Sequence, residues 1–105
     1  MIPQSVLDTL VERVVQAVKP RRIILFGSAA RDEMGLDSDL DVLVIMADGA
    51  RRRDVSAQLY RALRRFGCAI DVVVATENDV LTQQDNPGMV YQRALAEGRE
   101  LYHAA

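Results

Sequence analysis

Ser38-Asp39-Leu40-Asp41-Val42-Leu43-Val44-Ile45 is the stretch on which the reading of this sequence turns. From Leu40 to Met46 the run is apolar and rich in β-branched residues, which predicts a strand. Side chains alternate along a strand, so Asp39 and Asp41 point to one face, about 7 Å apart. Leu43 and Ile45 share that face, while Leu40, Val42 and Val44 occupy the other. The strand is therefore apolar on both sides, yet two like charges sit at its N-terminal end. Aspartate is a poor strand former, and carboxylates beside a buried strand resist desolvation unless something cationic compensates. Asp71 repeats the anomaly between Ile70 and Val72, inside a second apolar run at 69–75. Taken singly, such residues serve as strand-end caps or as ion-pair partners for arginines. Taken together, they suit magnesium, because hard divalent ions take oxygen ligands from a few carboxylates plus substrate phosphates. Two such ions about 4 Å apart activate an attacking oxygen and steady a leaving one in phosphoryl transfer.

Upstream, residues 4–18 place Val6, Leu7, Leu10, Val11, Val14, Val15 and Val18 at helical spacing. Pro20 and two arginines end that helix. Residues 22–26 read as a buried strand stopped by Gly27-Ser28. Glycine lets a backbone approach a ligand closely, and Ser28 offers a hydroxyl and an amide. The polar stretch beyond it, through Ser38, is compatible with a helical turn at its start. No G-x-x-x-x-G-K-[ST] and no G-x-G-x-x-G occurs, so neither a P-loop nor a dinucleotide site is indicated. Downstream, a helix is predicted from about Arg51 to Phe66, with Val55, Leu59, Ala62, Leu63 and Phe66 on its apolar side and Gly67 to end it. The third strand is 69–75, and residues 78–86 are polar and give no assignment. A last helix is predicted from Pro87 towards Tyr102. The element order predicts an α/β (α+β) fold, a small mixed sheet flanked by helices, in one domain spanning 1–105.

Half of the 105 residues are hydrophobic and 27% are charged, an ordinary globular balance. The net charge of −2 argues against a general nucleic-acid coat or a polybasic membrane binder. Cys68, the single cysteine, suits a reducing compartment and reads as core filling. No stretch approaches the length of a membrane span and the N-terminus lacks a signal-peptide pattern, so a cytoplasmic protein is expected. Arg51, Arg52, Arg53, Arg61, Arg64 and Arg65 make the second helix basic, as a solvated face or a docking surface. Tyr60, Tyr91 and Tyr102 are spaced as helix packing residues, and His103 is expected to be inert.

Gly27-Ser28-Ala29-Ala30-Arg31, then Ser38-Asp39-Leu40-Asp41-Val42-Leu43-Val44, then Asp71 together resemble the DNA polymerase β-like nucleotidyltransferase superfamily. The likeness is to its minimal, MNT-type members. It extends more weakly to Asn86-Pro87-Gly88, Tyr91 and Gly98-Arg99-Glu100-Leu101-Tyr102, and so covers nearly the whole chain. Asp32 departs from the pattern, which often has glycine after the arginine. The resemblance implies that Gly27 and Ser28 hold a triphosphate, with Arg31 on the phosphates and Ser38 bracing the loop. It implies that Asp39 and Asp41 ligate two Mg2+ ions, and that Asp71 binds the catalytic ion and helps deprotonate the acceptor. Minimal members are typically paired with a helical HEPN toxin. The resemblance thereby implies transfer of AMP from ATP to a hydroxyl, a tyrosine of that toxin, by an antitoxin in a hetero-oligomer. The chain leaves little room for an acceptor-binding domain, which weighs against a small-molecule nucleotidyltransferase. The other class of function is an antitoxin that neutralises its partner by occlusion alone.

Overall fold

The computed structural model describes residues 3–27, 40–83 and 90–104. Helix α1 spans Gln4–Val18 and buries Leu7, Leu10 and Val14. It stops where Lys19 turns left-handed, at φ 52°, and donates its N–H to the Val15 carbonyl, ahead of Pro20. Strand β1 is Arg22–Phe26 and β2 is Leu40–Met46, both with the predicted bounds. Helix α2 spans Arg52–Ala62, β3 Ile70–Thr76, α3 Glu77–Gln83, α4 Val90–Glu97 and β4 Arg99–His103. The sheet order is β3-β2-β1-β4. β1 runs antiparallel to β2 and β4, whereas β2 and β3 are parallel, so the sheet is mixed as expected.

Alternation along the strands divides the core in two. Ile23, Leu25, Leu40, Val42 and Val44 face α1 and α2, where they meet Leu7, Leu10, Val14, Val55 and Leu59. Ile24, Phe26, Leu43, Ile45 and Ala75 face the other way, onto Val80 of α3 and Tyr91 and Ala94 of α4. Burying such side chains contributes roughly 1.5–3 kcal/mol each before conformational entropy is set against it. Helices thus cover both faces of a central β2, which explains why that strand is apolar on both sides.

Three assignments change. The second helix ends at Ala62 and not at Phe66: the Arg64 N–H bonds back to the Arg61 carbonyl, tightening the last turn, and Arg65 then turns left-handed at φ 57°. Arg65, ahead of Gly67, therefore reverses the chain, and Phe66 drops against the core under the Arg13 guanidinium, 5.4 Å from its ring centre. The unassigned polar segment begins with a helix, α3. Its start carries a reciprocal cap, in which the Asp79 N–H donates to the Thr76 hydroxyl at 3.1 Å and the Thr76 N–H to the Asp79 carboxylate at 3.0 Å. The final helix is interrupted: α4 stops at Glu97, Gly98 follows, and Tyr102 lies in β4, not on a helix. β4 closes the free edge of β1, and the Arg22–Glu100 pair at 2.7 Å ties the two strands.

Candidate functional site

The parallel register of β2 and β3 sets Asp41 directly beside Asp71. Parallel neighbours lie about 4.8 Å apart, so two carboxylates stand side by side on one face of the sheet. That face also carries Phe26, Leu43 and Val73, and Phe26 is the antiparallel partner of Asp41. Both acids sit one residue inside the N-terminal ends of their strands. Asp41 is half-buried, whereas Asp71 is exposed, because β3 is the outermost strand. This corrects the expectation of three carboxylates held against desolvation: for Asp71 the remaining cost is like-charge apposition with Asp41.

Gly27 completes the described part of the site. It follows β1, takes φ +73°, and a Cβ built on it would overlap an Asp41 carboxylate oxygen, with Asp41 Cγ at 3.3 Å. The glycine at this position is thus explained by the acid across from it: a side chain here would push that carboxylate aside. Gly27→Ala is expected to weaken Mg-ATP binding by roughly ten- to a hundredfold, the scale for disturbing the support of a metal ligand. Isothermal titration calorimetry measures this, with circular dichroism to confirm the fold. Wild-type affinity in the variant would mean that the clearance is irrelevant to binding.

Gly27, Asp41 and Asp71 are therefore brought together. Ser28, Arg31, Asp32, Ser38 and Asp39 lie outside the described residues. Among the described residues no group of three or more His, Cys, Asp or Glu is placed to hold a metal; two of the three expected carboxylates are present and adjacent. Two hard oxygen donors with side-chain-free space beside them fit a magnesium ion. The Arg51, Arg52, Arg53, Arg61, Arg64 and Arg65 side chains all lie exposed on or around α2, on the far face of the sheet from the two acids. His103 sits in β4, 3.4 Å from Glu100, away from the site. No helix among the described residues is long and apolar enough to cross a membrane.

Comparison with known proteins bears on the same region. Residues 7–99 match the family described as Nucleotidyltransferase domain. No curated protein matches the chain. Among solved structures, a toxin–antitoxin complex with AMP-PNP is 21% identical at a TM-score of 0.63, over 93% of this chain and 73% of that one. A nucleotidyltransferase from Sulfolobus solfataricus is 19% identical at a TM-score of 0.63, over 95% and 82%. A tri-AMPylated Shewanella oneidensis HEPN toxin in complex with its MNT antitoxin is 20% identical at a TM-score of 0.55, over 96% and 72%. At these identities the likeness is one of fold.

Proposed function

The chain belongs to the nucleotidyltransferase domain family, and from that premise we propose that it transfers AMP from ATP to a hydroxyl, a tyrosine, of a HEPN-family toxin and so acts as its antitoxin. The observation that carries this is the in-register pair Asp41 and Asp71 beside Gly27. Structural relatives that are toxin–antitoxin complexes, one with an ATP analogue and one with an AMPylated HEPN toxin, support the choice of donor and acceptor.

In this reading Asp39 and Asp41 hold magnesium with Asp71, and Gly27 and Ser28 receive the triphosphate, with Arg31 and Ser38 supporting the loop. Magnesium bound there neutralises phosphate charge and lowers the pKa of an oxygen it holds. Asp71, exposed on the edge strand, stands where a macromolecular acceptor reaches it and takes the proton of the attacking hydroxyl. The acceptor oxygen bonds to the α-phosphorus, the bond from that phosphorus to the bridging oxygen breaks, and pyrophosphate leaves. Asp41, half-buried, is fixed in place by the strand on either side.

The experiment combines the protein, Mg-ATP and the product of the adjacent reading frame, expected to be a HEPN-family protein. Intact mass spectrometry should show additions of about 329 Da, the mass of an adenylyl group. Proton removal by a positioned carboxylate is worth about 10²–10⁴ in rate, so Asp71→Asn should suppress the additions by that factor and leave partner binding intact. A toxin silenced equally by wild type and by Asp39→Ala/Asp41→Ala, with no mass change, would replace this proposal with neutralisation by occlusion.

A further inference from the structure

Helix α2 is anchored through Val55 and Leu59, and its outer side is built differently. Arg53, Ala57, Tyr60, Arg61 and Arg64 follow one another at three- and four-residue steps, the spacing of a single helical stripe, and all are exposed. Tyr60 is 52% exposed in the middle of it. Residues 51–65 hold six of the chain's 13 basic residues and, in Asp54, one of its 15 acidic ones. The rest of a chain with net charge −2 is correspondingly acidic, so α2 is a local positive field on an acidic body. Arg52 is drawn to Asp79 at 3.7 Å, but no ion pair joins Arg53, Arg61 or Arg64 to another described residue.

The topology gives this stripe a position. β2 runs away from Asp41, α2 returns, and β3 sets out again at Asp71 in parallel register. The C-terminal end of α2, with Arg61 and Arg64, therefore lies at the same end of the sheet as the two acids. The Arg13 guanidinium, which donates to the Arg64 carbonyl at 3.3 Å, pins that end. α2 packs over β3, the edge strand on which Asp71 is exposed. A macromolecule lying along the stripe needs only to turn one strand edge to present a group to Asp71.

We propose that the α2 stripe is the docking surface for the acceptor protein, which meets it with an acidic patch; this rests on the protein-acceptor reading above. Tyrosine and arginine are the side chains that dominate protein interfaces. A nucleic acid fits less well, since a phosphate backbone extending past the stripe would meet the acidic remainder of the chain.

The test titrates the HEPN-family partner against wild type, Arg53→Glu/Arg61→Glu/Arg64→Glu, the same three positions as lysine, and Tyr60→Ala, at low and high salt. Reversing the three charges should weaken partner binding about a hundredfold or more, since like-charge juxtaposition costs several kcal/mol. It should raise the partner's KM in AMP transfer with kcat unchanged at saturating partner, and leave Mg-ATP affinity at the wild-type value. The lysine variant should keep most of the affinity, and Tyr60→Ala should lose about tenfold. Unchanged affinity in the charge-reversed variant, with a wild type that binds and transfers, overturns the docking surface alone. A wild type that forms no complex and transfers nothing overturns both the surface and the transfer reading. Two other results also overturn the proposal if partner binding survives charge reversal: loss of binding to a single-stranded RNA probe, or loss of wild-type self-association.

Discussion

Asp41→Ala is expected to lower AMP transfer by roughly a thousandfold or more while the protein stays folded. The residue supplies an oxygen to the ion that neutralises charge at the α-phosphate, and such stabilisation is worth several kcal/mol; at about 1.4 kcal/mol per tenfold, three decades is the corresponding loss. Transfer kinetics with intact-mass readout, together with Mg-ATP calorimetry, measure it. Thermal unfolding in metal-free buffer is the companion measurement. Asp41 lies beside Asp71 in register, and like charges opposed across strands destabilise, so the variant should melt at or above the wild-type temperature. If it instead melts far below wild type, Asp41 is a structural residue and the site must be reassigned.

Gly98→Ala should produce the largest loss of stability among single-methyl changes. A Cβ there would overlap the Ala94 carbonyl oxygen, meet Ile24 Cγ2 at 2.6 Å and lie 3.0 Å from the Leu25 carbonyl oxygen. Two of these neighbours are backbone, one from α4 and one from β1, so neither yields by changing rotamer. Relief requires α4 to move off the sheet, and overpacking of this kind costs about 1–3 kcal/mol or more. In a domain of this size each kcal/mol lowers Tm by about 4–8 °C, so a fall on the order of 10 °C or greater is expected by scanning calorimetry. A variant that melts with wild type would show that α4 and β1 separate at little cost.

The parts of the fold legible from sequence are those with a strong period. α1, β1 and β2 carry long apolar patterns, and their bounds emerge from Leu7, Leu10, Val14 and the 22–26 and 40–46 runs alone. β4 is not legible: Arg99-Glu100-Leu101-Tyr102-His103 has two apolar residues, and what makes it a strand is the edge that β1 offers, a tertiary fact. Gly98, next to it, marks the break, but a lone glycine within a helical pattern does not by itself end a helix. α3 is hidden by its polarity, although Thr76-Glu77-Asn78-Asp79 has the spacing of a reciprocal cap. At the site, alternation alone puts Asp41 on the face of Leu43 and Ile45. That Asp71 stands beside Asp41 depends on parallel pairing, and its exposure depends on β3 being an edge. Neither is written in the local pattern. Gly27 stands out in the sequence for its chemistry towards a ligand, whereas its conflict with a carboxylate on another strand is a matter of packing.

The pairing of β4 with β1 has a consequence for synthesis. Ile23 is matched with Tyr102, so one strand leaves the ribosome early and its neighbour nearly eighty residues later. At translation rates of about 5–20 residues per second the interval is on the order of ten seconds. During that interval a nascent chain can gather β1, β2 and β3, and with them both aspartates, while β1 still shows a bare edge of N–H and C=O groups. The strand that seals the sheet contributes nothing to the chemistry, yet nascent molecules remain open to wrong pairing until it arrives.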